Sequence, residues 1–151
     1  MYFNTTGSEQ LSILATIDPS VQAVGTANTA WVALANHLDA LALIATGAME
    51  VGATLDAKLQ QATDASGTGA KDIEGTSITQ LADGSGDNAQ VLINLRAEDL
   101  DVNAGFAYVR LALTVGAAAA NTAALLLGIN ARREPADQFN VASVAQVAQV
   151  A

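Results

Sequence analysis

The sequence predicts an all-β fold, a sandwich or barrel of roughly six to eight antiparallel strands. Three observations predict it. Apolar and polar residues alternate with a period of two over several stretches, clusters of Gly, Asp, Asn and Ser separate those stretches, and no segment long enough to organise a fold carries helical periodicity.

In chain order, Asp18-Pro19-Ser20-Val21-Gln22 reads as the start of a short helix, with Asp18 as cap and Pro19 in the first position. It falls within an expected N-terminal arm, residues 1–30. The stretch from Trp31 to Thr46 holds one or two strands around His37-Leu38-Asp39. From Met49 to Gln61 the alternation is clearest: Met49, Val51, Ala53, Leu55, Ala57 and Leu59 interleave with Glu50, Gly52, Thr54, Asp56, Lys58 and Gln60. A strand places these two sets on opposite faces. Ser77 to Leu81 reads as a short strand, and Val91, Ile93 and Leu95 as the inward set of another.

Ala97 to Asp101 fits a single helical turn. Next, Val109, Leu111, Leu113 and Val115 alternate with Tyr108, Arg110, Ala112 and Thr114, and Leu125, Leu127, Ile129 and Ala131 read as an inward set opposed by Asn130 and Arg132. Each is a half-buried antiparallel strand. The sandwich domain is thus expected over residues 31–135. The final VASVAQVAQVA spaces Val141, Val144, Val147 and Val150 by three, which suits neither strand nor helix. It reads as a C-terminal arm, residues 136–151, that becomes ordered on a neighbour.

Leu111 to Ile129 is an apolar run of about bilayer-spanning length. Thr114, Gly116, Asn121 and Thr122 interrupt its middle and the alternation continues through it, so two strands and a turn are expected. The N-terminal MYFNTTGSEQ has neither a basic segment nor an apolar core and does not read as a signal peptide.

Composition narrows the function classes. With 15 acidic and 6 basic residues the net charge is -9, so the chain lacks the cationic field that nucleic acid or an anionic membrane attracts. Cysteine is absent, which excludes disulfides, thiolate metal sites and cysteine nucleophiles. Only 14% of residues are charged and 51% are apolar, a balance expected of a surface partly covered by partners.

Four motifs invite a chemical reading. Gly67-Thr68-Gly69-Ala70-Lys71 resembles half of a phosphate-binding loop, but Ala70 stands where the second glycine belongs and Asp72 where a hydroxyl should hold magnesium. It is expected to be a turn between strands, with Lys71 paired to an acidic neighbour such as Asp72 or Glu74. Asp83-Gly84-Ser85-Gly86-Asp87-Asn88 spaces oxygen ligands as a calcium loop does without the distal glutamate, and reads as a hairpin tip. Glu98, Asp99 and Asp101 form an acidic cluster on one turn, whereas acid–base pairs converge from separate elements. The single histidine, His37, has no nucleophile-elbow sequence to serve and reads as structural.

The run VGATLDAKLQQATDASGTGAKDIEGTSITQL from Val51 to Leu81, with Asp87-Asn88-Ala89-Gln90, Glu98-Asp99-Leu100-Asp101 and Gly105-Phe106-Ala107-Tyr108-Val109, resembles small accessory virion proteins of tailed bacteriophages. The resemblance covers roughly Trp31 to Pro135 and implies a β-sandwich of jelly-roll-like character acting by contact, in many copies, without turnover and without cofactor or metal. The expectation is a decoration or cement protein, made in the host bacterial cytoplasm. It would bind the outside of the lattice of the major capsid protein and associate with itself as a homotrimer. The expected contact residues are Tyr2, Phe3, Phe139, Val141, Val144, Val147 and Val150. The alternatives are a head–tail connector or tail component, a carbohydrate-binding sandwich using Trp31, Tyr2 and Tyr108, and a hydrolase centred on His37 or Asp99.

Overall fold

The alternating stretches form two antiparallel sheets in the computed structural model, which describes residues 4–150. A helical turn, α1 (Gly7–Gln10), precedes β1 (Leu11–Gln22), β2 (Gly25–Asn28), β3 (Val32–Ala33), β4 (His37–Met49) and β5 (Thr54–Ala62). Then follow β6 (Lys71–Asp72), β7 (Leu81–Ala82), β8 (Gln90–Arg96), β9 (Tyr108–Gly116) and β10 (Ala120–Ala131), with 3-10 turns at Ala97–Asp99, Val102–Ala104 and Ala136–Phe139. Tyr2 and Phe3 lie outside the described residues.

Sheet A has the order β1-β10-β4-β8, and sheet B the order β2-β9-β5-β6 with β3 on β9 and β7 on β5. The antiparallel sandwich is therefore as expected. The strand distribution is four against six among the described residues, where a jelly roll pairs two four-stranded sheets. Between the sheets lies a core of aliphatic side chains, with Ile44, Leu55, Leu59, Leu111, Leu113 and Leu126 fully enclosed.

Sheet B follows the sequence closely. Leu55, Ala57 and Leu59 of β5 and Val109, Leu111, Leu113 and Val115 of β9 all point into the core. One detail differs: Val51, placed in the alternating strand, sits in the β4–β5 turn and is 92% exposed. Its turn forms because Ala53 donates its amide to the Glu50 carbonyl, closing a tight connection. The run Ser77–Leu81 is mostly loop, with only Leu81 entering a two-residue strand.

Elsewhere the chain departs from expectation in three places. Residues 11–28, assigned to an N-terminal arm, form β1 and β2. The helix start at Asp18-Pro19 is instead a register irregularity between Ile17 and Ser20 in β1, on the edge of the sheet, where the amide missing from proline is tolerated. In β10 the inward set is Ala120, Ala124 and Leu126, with Thr122, so Leu125 and Ile129 are half-buried on the opposite face rather than inward, while Leu127 and Ala131 are buried as expected. Finally, residues 136–141 do not leave the domain as an arm. Asn140 Oδ1 accepts the Ile13 amide at 2.7 Å and the Val141 amide donates to the Ile13 carbonyl at 2.7 Å, closing the otherwise open edge of β1.

Candidate contact surfaces

The two sheets share one core but turn very different faces outward. On sheet B the outward rows run Thr26–Thr114–Asp56, Asn28–Ala112–Lys58 and Arg110–Gln60–Asp72. Their polar groups are joined to one another: Lys58 Nζ and Gln60 Nε2 donate to Asp72 at 2.7 and 2.8 Å, Arg110 Nε donates to Gln60 Oε1 at 2.9 Å, and Gln80 Nε2 donates to Asp56 at 2.7 Å. The hydrogen bonds from Lys58 and Gln60 hold the Asp72 carboxyl below its ordinary value.

On sheet A the outward rows are Ile13–Leu127–Leu41–Asn94, Thr16–Leu125–Leu43–Leu92 and Leu11–Ile129–Asp39–Arg96. Leu41, Leu43, Leu125 and Ile129 are half-buried and belong neither to the core between the sheets nor to the side chains packed against it, and Leu127 beside them is buried. Leu92 is 59% exposed. The charged side chains of these rows, Asp39 and Arg96, lie together at one end.

A second apolar region lies at one end of the sandwich. The β1–β2, β4–β5 and β9–β10 connections meet there: Val21 pairs with Asn121, Ala120 pairs with Met49, and the Glu50 amide donates to the Ala119 carbonyl. Val21, Val24 and Val51 are 65%, 60% and 92% exposed at this end, flanked by Ala117, Ala118 and Ala119. Glu50 is the charged residue of these three connections.

The expected contact residues of the C-terminal segment divide into two groups. Phe139 packs edge-on against the His37 ring at 5.5 Å, and Val141 is tied to Ile13, so both are anchors inside their own chain. Val144 is half-buried through the turn it makes with Val141, and beyond it Val147 and Val150 are exposed.

The four chemical motifs resolve into structural parts. In the loop after β5 the Asp64 carboxylate accepts the Ser66 and Thr68 amides at 2.9 and 3.1 Å, filling with its own charge the position a phosphate would take. Hydrogen bonds from the Thr68 side chain and amide, with those of Ser66 and Gly67, keep Asp64 below the usual carboxylate range. Gly67 adopts a φ of 85° and lies against Trp31, whose Nε1 would be 2.5 Å from any added β-carbon. Lys71 pairs with neither Asp72 nor Glu74: it reaches Asp101 at 2.8 Å and lies 4.3 Å over the Phe106 ring, because Asp72 is already taken by Lys58.

In the Asp83–Asn88 loop, Asp87 Oδ1 accepts the Met49 amide at 3.0 Å and the Asn88 amide donates to the Gly47 carbonyl, so the loop buttresses β4. Among the described residues no three acidic or histidine side chains gather as metal ligands. The acidic turn is likewise divided: Asp99 accepts the Arg96 amide at 2.9 Å, Glu98 meets the Arg96 guanidinium at 3.2 Å, and Asp101 binds Lys71.

His37 is where the fold brings together residues that spacing alone leaves unconnected. Ser12 Oγ lies 2.9 Å from His37 Nε2 and donates to the Ala136 carbonyl, so it accepts from the ring and fixes the Nε2–H tautomer. Nδ1 is then buried with no partner among the described residues. Burial pushes the His37 pKa below its ordinary value, opposed by the nearby Glu134 carboxylate. The serine–histidine pair has the composition of a hydrolytic dyad, but Ser12 and His37 are 0% and 1% exposed and the hydroxyl is spent on Ala136. The pair pins the C-terminal segment to β1. Trp31, the candidate sugar platform, is half-buried against Gly67 with the Arg110 guanidinium 4.5 Å over its ring.

Among known proteins, no family model and no curated protein matches this chain.

Proposed function

We propose that this chain is a non-enzymatic structural component of a tailed-bacteriophage virion, a decoration or cement protein that binds the outside of the major capsid lattice. The observation that carries the contact role is the apolar end of the sandwich, where Val21 at the end of β1, Val24 in the β1–β2 connection and Val51 in the β4–β5 turn stand 60% or more exposed. Exposed valines on short, hydrogen-bonded connections lose little entropy on docking, and burying each is favourable by about 1.5–3 kcal/mol. A foot of this size binds weakly alone, and a repeated lattice converts weak contacts into stable occupancy. The resemblance of residues 31–135 to accessory virion proteins supplies the particle. The net charge of -9 suits the outer surface of a shell better than a lumen filled with DNA.

The test is a count of copies in purified particles by quantitative mass spectrometry against the major capsid protein. Hundreds of copies are expected for a decoration protein. Between six and a few dozen copies, on the order of a neck or tail ring, would move the protein to the connector or tail. Its absence from purified particles overturns the virion reading. In the decoration case, Val51→Asp reduces occupancy at least about tenfold while leaving the fold intact, because the side chain touches no core residue.

A further inference from the structure

We infer that the outward face of sheet A is the surface through which two copies of this chain pair. The inference stands apart from the virion reading, since it concerns the isolated protein. Leu41, Leu43, Leu92, Leu125 and Ile129 form one apolar field on this face, in cross-strand register around the buried Leu127. An antiparallel sheet with a water-facing side normally makes that side polar, as sheet B does. Sheet A is apolar on both sides, the pattern of a sheet covered on both.

Size and charge identify what covers it. The stretch Ala123–Ile129 runs about 23 Å and four strands span about 19 Å, so the apolar plane is roughly 440 Å². The whole sheet, along the 12 residues of β10, presents on the order of 760 Å². A standard interface takes about 800 Å² from each partner, with an apolar centre and a polar rim. The face of sheet A supplies both, with Asn94, Thr16, Asp39 and Arg96 at its margin.

The chain carries -9 overall, so a basic partner would be drawn to its acidic surfaces. On this face the charges are confined to one end, where Asp39 stands opposite Arg96 and Arg96 meets Glu98. An apolar face with an uncharged centre meets a second copy of itself without like-charge repulsion there, and a face that mates with itself closes a twofold axis. The unit is then a face-to-face pair rather than the expected trimer. Two sheets stacked at about -30° interdigitate their side chains as sandwich sheets do.

Sedimentation equilibrium or light scattering on the purified chain, at about 1–100 µM, tests this. The expected mass is twice 15.3 kDa. Leu43→Lys, at the centre of the field, should give the monomer mass. Leu92→Lys, at a position already 59% exposed and so unable to disturb the core, should raise the dissociation constant tenfold or more. Thr114→Lys, on the outward face of sheet B, should leave it unchanged. A wild-type monomer at the top of that range, a three-copy mass, or pairing that Leu43→Lys and Leu92→Lys both leave intact would overturn the proposal. So would a monomer whose residues 41–43 and 125–129 gain hydrogen-exchange protection only on adding capsid shells, since that gives the face to the shell. A paired protein absent from particles would sink the virion reading and leave the pairing intact.

Discussion

Sheet A and sheet B are built on the same alternation and differ in what their outward residues do. On sheet B each outward row contains hydrogen-bonding side chains, and Lys58, Gln60, Asp72 and Arg110 satisfy one another across β5, β6 and β9. On sheet A the corresponding positions are leucine and isoleucine, with polar groups confined to the margin. Only one buried face per sheet is needed to make a sandwich. The second apolar face is not required by the sandwich, and the pairing inferred above would account for it.

The largest effect expected from this comparison lies within one strand. Leu126 is fully enclosed in the core, while its neighbour Leu125 looks outward. Leu126→Ala should cost about 2–5 kcal/mol of stability by urea denaturation. Leu125→Ala, measured in the monomeric Leu43→Lys background, should cost less than about 1 kcal/mol, because it opens no cavity between the sheets. In the paired wild type, the same substitution should cost more as protein concentration rises. Equal losses in the monomer would mean that the faces of β10 are reversed and would remove the contrast between the sheets.

A second comparison uses the glycines at which each sheet is most closely approached. A β-carbon on Gly128 of β10 would lie 2.6 Å from the His37 ring, itself fixed by Ser12 and Phe139. On Gly116 of β9 it would lie 2.6 Å from Thr54 Oγ1, a small side chain that can rotate away. Gly128→Ala should therefore cost about 1–3 kcal/mol and loosen the C-terminal segment, visible as faster proteolysis after Phe139. Gly116→Ala should cost less than about 1 kcal/mol. A Gly116→Ala protein less stable than Gly128→Ala would show that the His37 contact is soft.

The contrast between the sheets also decides how much of the fold can be read from sequence. Strands β5, β8 and β9 are legible because charged and polar residues mark their outward positions, as Asp56 and Lys58 do in β5. In β10 the run Leu125-Leu126-Leu127 carries no such mark, since a sheet apolar on both faces erases the alternation that reports its phase. Strand β1 is hidden for a different reason: Asp18-Pro19 has the local chemistry of a helix start, and only the pairing with β10 accommodates proline at a bulge. The Ser12–His37–Ala136 contact spans residues far apart in the chain and has no sequence signal at all. The apolar run near residue 125 thus both hides the phase of the strand and marks the outward apolar face.

The smallest effects concern acid, and they too separate the sheets. His37, under sheet A, has its folded pKa lowered by burial, so at pH 7 it is neutral in the folded chain and mostly neutral in the unfolded one. As pH falls below 6.5 the unfolded chain takes up a proton that the folded chain resists, and stability declines through the folded value. His37→Gln, which keeps a donor for Ser12, should remove that decline from the pH dependence of urea unfolding. Asp72, on sheet B, also has a lowered pKa, and its contribution is complete above 3.8 and lost as pH falls through the folded value. The Lys58–Asp72 pair is exposed by 39% and 51%, so solvent screens it and Asp72→Asn should cost less than about 1 kcal/mol at pH 7. That loss should shrink further in 1 M salt, where the screening length is about 3 Å. A loss insensitive to both salt and acid would mean that the outward network of sheet B holds by geometry rather than by charge.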